Sequence, residues 1–322
     1  MLRALGLGDL LTAVPALRAL RRSLPGAVIT LAGPAALADL AMLTGAVDEV
    51  VDTAPLAPLA AGLSGADLAV NLHGRGPQST ALLAATGPRR LVAYGATARW
   101  RADEHEVRRW CRLLDEAGMP ADPTDLALAR PPVAPLAEGA LLVHPGAAQP
   151  SRRWPVERWA AVARELAASG ASVLLTGGPG ERERALQVAA AAALPPSAVV
   201  AGRTSPLELA ALVAAARLLV SVDTGVAHLA TACGTPSVVL FGPTDPALWG
   251  PPADRPRHRV LWAGRTGDNF APSADPGLLL LDAGAVLAAC RDALQQEPAA
   301  RTSRTPQGGP VVVGDVPGTS RS

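Results

Sequence analysis

Short apolar runs of β-type residues alternate with Ala-, Leu- and Arg-rich helical stretches along the whole chain. This is the pattern of parallel sheets covered by helices. In the first half it predicts strands at Val28–Ala32, Glu49–Asp52, Leu68–Leu72 and Leu91–Ala93, with helices near Leu11–Ser23, Ala35–Leu43 and Gln78–Ala85. The second half predicts strands at Ala140–His144, Ser172–Thr176, Ala198–Val200, Leu218–Ser221 and Ser237–Phe241. Helices are expected between them at Val156–Ala168, Glu181–Ala191, Pro206–Ala215 and Val226–Cys233, and a last one near Ala283–Gln295. Met1–Leu5 should form a further, central strand, as first strands do in doubly wound sheets. It reads as clipped, because Met1 and Arg3 are poor material for a buried strand, so several apolar residues are expected upstream.

The pattern stops at Arg130-Pro131-Pro132-Val133-Ala134-Pro135, where prolines remove amide donors and fix φ, so neither a helix nor a central strand continues. Two α/β units follow from this: 1–130 and 140–297, doubly wound and facing a cleft, with 131–139 as the linker. The stretch 298–322, rich in Pro, Gly, Ser, Thr and Arg, is expected to be disordered.

Composition narrows the chemistry. The 322 residues are 49% hydrophobic with a formal net charge of +1, which suits a soluble protein of about two domains. No window holds about 18 uncharged apolar residues, and Arg3 and Asp9 interrupt what would be a signal core, so a cytoplasmic location without a transmembrane segment is expected. Cys111, Cys233 and Cys290 are far apart and show no CxxC pairing, which favours buried free thiols over disulfides or zinc. The chain contains no lysine, which excludes a Walker phosphate loop and Schiff-base catalysis. Aromatic residues are only 3% and charge is interspersed, so no nucleic-acid partner is expected.

Three clusters sit where strands end and helices begin. Gly6-Leu7-Gly8-Asp9 can bring backbone amides to a ligand at a sheet edge, although from spacing alone Asp9 reads more readily as a helix N-cap. His144-Pro145-Gly146-Ala147-Ala148 runs on to Ser151-Arg152-Arg153-Trp154-Pro155, where an arginine fork can meet phosphate or simply face solvent. In Ser221-Val222-Asp223-Thr224-Gly225-Val226-Ala227-His228, His228 lies four residues beyond Thr224 on one helical face. That arrangement can surround an anion or sugar, or can be a capped helix carrying a core histidine.

Together with Phe241-Gly242-Pro243-Thr244-Asp245-Pro246 and Trp249-Gly250-Pro251, these clusters resemble glycosyltransferase family 9, the ADP-heptose heptosyltransferase-like enzymes, over about Met1 to Asp282. The resemblance implies a GT-B fold and an inverting, metal-independent transfer of a heptose-like sugar from a nucleotide donor, ADP above others, to a hydroxyl acceptor. No cofactor is implied. Position by position, Asp9 matches the family's catalytic base, and Asp223, Thr224, Gly225 and His228 match donor-site residues. Arg152 stands where the family places a phosphate-binding lysine, a planar fork replacing a point charge. Ala147 and Ala148 stand where those enzymes carry threonines.

Softer candidates are Glu181, aimed at a ribose diol from Gly177-Gly178-Pro179-Gly180-Glu181, and Gly202 with Thr204, in a loop that could meet the base. On the acceptor side, Gly8, His73 and Arg75 could bind a glycan, glycolipid or small hydroxyl compound, with peripheral membrane contact conceivable for a lipid acceptor. The run Asp103-Glu104-His105-Glu106 suggests metal ligands, but consecutive helical residues point in different directions, so a solvated helix start is expected. Rival readings are a GT-B-like sugar-nucleotide 2-epimerase, a non-catalytic nucleotide-sugar binding protein and, last, an NAD oxidoreductase.

Overall fold

A computed structural model describes residues 1–295, so the expectation for 298–322 falls outside the described residues. The first half carries α1 (Leu7–Thr12), α2 (Val14–Ser23), β1 (Thr30–Gly33), α3 (Ala38–Met42), β2 (Glu49–Asp52), β3 (Leu68–Val70), α4 (Gln78–Ala84), β4 (Arg90–Val92) and α5 (Glu106–Glu116). β1 pairs with β2 and β3 with β4, all parallel. Leu2 joins the two pairs, bridging to Ala32 on one side and Asn71 on the other. Its amide donates to the Val70 carbonyl, and its carbonyl accepts from the Leu72 amide. The start of the chain is therefore central, as expected, but only a few residues long, because the Gly6 turn opens α1 at once.

Arg3 departs from expectation. Read as poor material for a buried strand, it is 2% exposed, because its guanidinium meets carboxylates and carbonyls at the sheet's carboxyl edge. A buried cation is tolerable only when it is paired and hydrogen-bonded in this way. The helix predicted at Leu11–Ser23 begins earlier, at Leu7, and is broken at Ala13, since Pro15 enters at the start of α2 and offers no amide to the preceding turn.

No helix or strand occurs between α5 and β5 (Leu141–His144). The second half continues with α6 (Val156–Ala168), β6 (Val173–Leu175), α7 (Arg182–Ala191), α8 (Pro206–Ala215), β7 (Leu218–Val222), α9 (Gly225–Cys233), β8 (Ser237–Leu240), α10 (Pro246–Trp249), β9 (His258–Leu261) and α11 (Ala283–Gln295). Its parallel sheet has the order β6-β5-β7-β8-β9. The strand expected at Ala198–Val200 is reduced to one bridge between Leu175 and Val199. Pro195 and Pro196 lack the amides a longer pairing needs, and Pro196–Ala198 coils into a 3-10 turn. The sequence pattern predicts neither β9 nor α10: β9 is an edge strand, buried at His258 and exposed at Val260, and α10 is a single turn started by Asp245 and Pro246.

One apolar core fills the second half around Trp154, Trp159 and Val220. A second is continuous across the two halves, from Leu10, Leu17 and Leu114 to Leu212, Val213 and Leu229, with smaller clusters beside it. The halves are thus packed on each other through α1 and α9 as well as linked by chain. Among the described residues no helix is long and apolar enough to cross a membrane. Cys111 and Cys290 are buried and Cys233 half-buried, all three as free thiols.

Candidate active site

Two glycines meet where α1 of the first half packs on α9 of the second. A Cβ on Gly225 would lie 2.9 Å from Leu7 Cβ and 3.0 Å from the Gly8 amide nitrogen, and one on Gly8 would lie 2.9 Å from His228 Cδ2. Only residues without a side chain let the start of α1 rest on the start of α9 at this distance. Two of the three sequence clusters are thereby brought together.

Asp9 is the third residue of α1, not its N-cap; Gly6 occupies that place. The carboxylate folds back so that Oδ2 accepts from the Gly6 amide at 3.2 Å, while Oδ1 lies 3.5 Å from Arg3 Nη2. Its side chain remains 30% exposed, so it is held on one edge and open on the other.

Across the interface is a cavity of about 370 Å³. Ala147, Ala148 and Gln149 from the loop after β5, Arg152, and Asp223 with Thr224 after β7 form its wall, and Trp249, Asn269 and Phe270 complete it. Arg152 is set by Asp223 and Asn269: Nη1 donates to the Asp223 carbonyl at 3.2 Å and lies 3.3 Å from Asp223 Oδ2, and Nη2 donates to Asn269 Oδ1 at 3.0 Å. Thr244 also donates to Asn269 Oδ1, at 2.9 Å. Burial pushes the Asp223 carboxyl above the usual carboxylate range, while Arg152 and Thr244 oppose the shift. The loop bearing Arg152 is anchored by Trp154, which is fully buried edge-to-face on Trp159 and donates from Nε1 to the Leu281 carbonyl. Truncating such a tryptophan typically costs about 3–5 kcal/mol, so Arg152 stands on a rigid base.

Trp249 belongs to a motif quoted for the family resemblance, with no site role expected of it; Asn269 and Phe270 carry no sequence signal of their own. The one local signal for Asn269 is the Asp268 side chain, which accepts from the Phe270 amide in a tight turn. Its pairing with Arg152 spans 117 residues.

His228 does not open into this cavity. It is half-buried, lining a crevice with Thr12, His105 and Gly250, and its ring meets Trp249 edge-on with centroids 6.0 Å apart. Burial pushes the imidazole down to about 4, with nearby Asp9 opposing, so it is neutral at pH 7. Burial likewise pushes His258, which bonds Ser237 Oγ, down to about 4. Unfolded histidine titrates near 6.5, so below that pH the unfolded chain binds protons that the folded chain refuses until about pH 4. Stability should therefore fall as pH drops from about 6.5 towards 4, by up to about 2 kcal/mol per histidine between pH 6.5 and 5. Melting temperatures measured across that window should decline, and His228→Gln should remove part of the slope; a flat profile would contradict the burial of these rings.

The remaining candidates are dispersed. Glu181 closes the 3-10 turn Pro179–Glu181; its Oε2 accepts from the Gly178 amide at 2.7 Å and lies 3.6 Å from His144 Nε2. The carboxylate fills the space beside Gly146, where a Cβ would lie 2.3 Å from its Cδ. Gly202 takes φ +72° and donates to the Gly177 carbonyl, and Thr204 lies half-buried before Ser205, which caps α8. None of these three lines the Arg152 cavity. On the first half, His73 is half-buried in the field of Arg3 and Asp9, and Arg75 is exposed.

The acidic run is corrected. It does begin a helix, α5, and His105 caps it by accepting from the Val107 amide. Only Asp103 is solvated, however: Glu106 is 7% exposed, and Glu104, half-buried, forms an ion pair with Arg112 at 2.7 Å. The nearby arginines draw both carboxylates inward.

This geometry has counterparts among known proteins. Lipopolysaccharide heptosyltransferase 1 of Pseudomonas aeruginosa is 36% identical over 153 residues, 46% of this chain and 42% of that protein. The first curated relatives are matched over about a third to two fifths of their length. A glycosyl transferase family 9 structure from Veillonella parvula superposes with a TM-score of 0.74 at 21% identity, over 92% of this chain and 96% of that one. An Escherichia coli heptosyltransferase with ADP superposes with a TM-score of 0.68 at 22% identity, over 91% and 98%. These likenesses identify the two facing parallel-sheet units as a GT-B fold. The profile of glycosyltransferase family 9 (heptosyltransferase) matches residues 81–268, more than half of the chain, and the protein belongs to that family.

Proposed function

We propose that the protein is an inverting glycosyltransferase that moves a heptose-like sugar from an ADP-linked donor to a hydroxyl acceptor, without a metal. The carrying observation is the Gly8–Gly225 approach, which sets Asp9 of the first half beside the helix that adjoins the Arg152 cavity of the second. The family supports the reaction class, and the names of its relatives, lipopolysaccharide heptosyltransferases, together with the solved complex with ADP, support the donor and a glycolipid acceptor.

In this reading Asp9 takes the proton of the attacking hydroxyl, its exposed edge facing the cleft. Attack comes from the side opposite the diphosphate, so a single displacement inverts the anomeric centre. As the bond to the nucleotide breaks, negative charge grows on the diphosphate. Arg152 and the amides of Thr224 and Gly225 at the start of α9 then stabilise the transition state more than the ground state. Arg152 supplies the positive charge that a divalent ion supplies elsewhere. Asp223 orients Arg152, and His228, neutral, supports Trp249 at the cavity wall. Glu181, Gly202 and Thr204 serve the nucleoside end, and Gly8, His73 and Arg75 face the acceptor.

The test is a thermal-shift and transfer experiment with ADP-, GDP-, UDP- and dTDP-sugars. The reading requires ADP-heptose to stabilise the protein, by about 2.7 kcal/mol at 100 times its Kd, and to be consumed only when an acceptor is present. Conversion of the donor alone would mark an epimerase, and tight binding without turnover a binding protein. Arg152→Ala should weaken donor binding about tenfold and lower turnover as well, since one charge-assisted contact to phosphate is lost. An unchanged Kd would remove Arg152 from the donor site.

A further inference from the structure

Behind Asp9 lies a buried ionic cluster that the proposed chemistry does not itself use. Arg3, its side chain 1% exposed, spends nearly all of its donors on the first turn of α1 and its surroundings. Nε donates to the Asp9 carbonyl at 2.5 Å, Nη2 reaches Thr12 Oγ1 at 3.1 Å and Asp9 Oδ1 at 3.5 Å, and Nη1 donates to the Leu72 carbonyl. From the far side Glu106 Oε1 lies 3.3 Å from Arg3 Nη2 and accepts from Trp110 Nε1 at 2.8 Å. Glu106 Oε2 lies 3.1 Å from Arg109 Nε. The Arg3 guanidinium stacks 4.8 Å from the Trp110 ring, and that of Arg109 3.9 Å from Trp100.

A buried ion pair is weak evidence for stability, because apolar residues of equal volume usually stabilise as well or better. This cluster has two cations and two carboxylates, and it opens to solvent at Asp9, whose side chain is 30% exposed against 9% for Glu106. Its arrangement therefore bears on Asp9 more than on the core. We propose that Arg3 and Glu106 are positioning residues: Glu106 and Trp110 clamp the guanidinium, and the clamped guanidinium holds the Asp9 backbone and carboxylate in the geometry for proton abstraction. This rests on Asp9 acting as the base.

If Glu106 loses its charge, Arg109 loses its carboxylate partner and Arg3 keeps that of Asp9, so Arg3 is drawn off its clamp towards Asp9. Glu106→Gln keeps the volume and the acceptor for Trp110, so it isolates that charge. It should lower kcat about tenfold while the donor KM stays within about twofold, the signature of a misplaced reacting group. Arg3→Lys, which keeps the cation but loses the planar fork, should show the same split. In an Asp9→Asn background, Glu106→Gln should cost no more than a further twofold, because both act through one group. Wild-type kcat in either folded single variant, or an equal rise in donor KM, would overturn the positioning role. Full activity of Asp9→Asn alone would overturn the base assignment and this inference with it. An inactive Asp9→Asn beside an unimpaired Glu106→Gln would overturn the positioning role only.

Discussion

Asp9→Asn should lower turnover by at least about 100-fold with little change in donor affinity, since removing a general base acts on the chemical step. Asparagine is nearly the same size, and its carbonyl oxygen can still accept from the Gly6 amide, the contact that returns the side chain to the start of α1. The fold should therefore survive, and the melting temperature should change by only a few degrees. Arg3 loses one ionic partner but keeps Glu106, Thr12 and two backbone carbonyls. Transfer kinetics and donor titration on the same preparation decide the matter. A parallel fall in donor binding would show that the carboxylate matters for packing the interface and not for the proton.

Gly225→Ala should cost turnover on a similar scale through geometry alone. The added methyl would meet Leu7 Cβ at 2.9 Å and the Gly8 amide nitrogen at 3.0 Å, and the second of these is backbone, which cannot rotate away. Either α1 moves off α9 or the second half rotates slightly. Overpacking of this kind costs about 1–3 kcal/mol of stability, and a displacement near 1 Å between reacting groups can cost about 100-fold in rate. Because the Arg152 cavity lies wholly within the second half, donor binding should be far less affected than turnover. A folded variant with wild-type kcat would show that the halves do not need this contact for catalysis, and the carrying observation for the proposed function would be lost.

Much of this architecture was legible in the chain. Predicted Glu49–Asp52, Val156–Ala168, Pro206–Ala215 and Ala283–Gln295 match the structure to the residue. Local physics specifies such elements: the two β-branched valines of Glu49–Asp52 suit a half-buried edge strand, and a surface helix needs a periodic face and a start signal. Ser205, Pro206 and Glu208 show the latter, with the serine and glutamate capping each other's amides. The clusters at strand ends were also visible, because a doubly wound sheet presents its ligand edge where strands run into glycine-containing turns.

What the chain could not show were pairings between distant residues. Arg3 is unfit for a central strand by its own chemistry, and Glu106, 103 positions later, makes its burial possible. Glu106 alone likewise reads as solvated. Asn269 holds Arg152 across 117 residues, and although Thr224 and His228 share a helical face, only Thr224 lines the cavity, with Trp249 edge-on against His228. Periodicity and turn chemistry act over a few residues and determine which segments become helix or strand. Whether a charge is buried depends on which other charge the fold brings within about 4 Å, and for Arg3 with Glu106 and Arg152 with Asn269 that is settled only when distant segments of the same half have packed together.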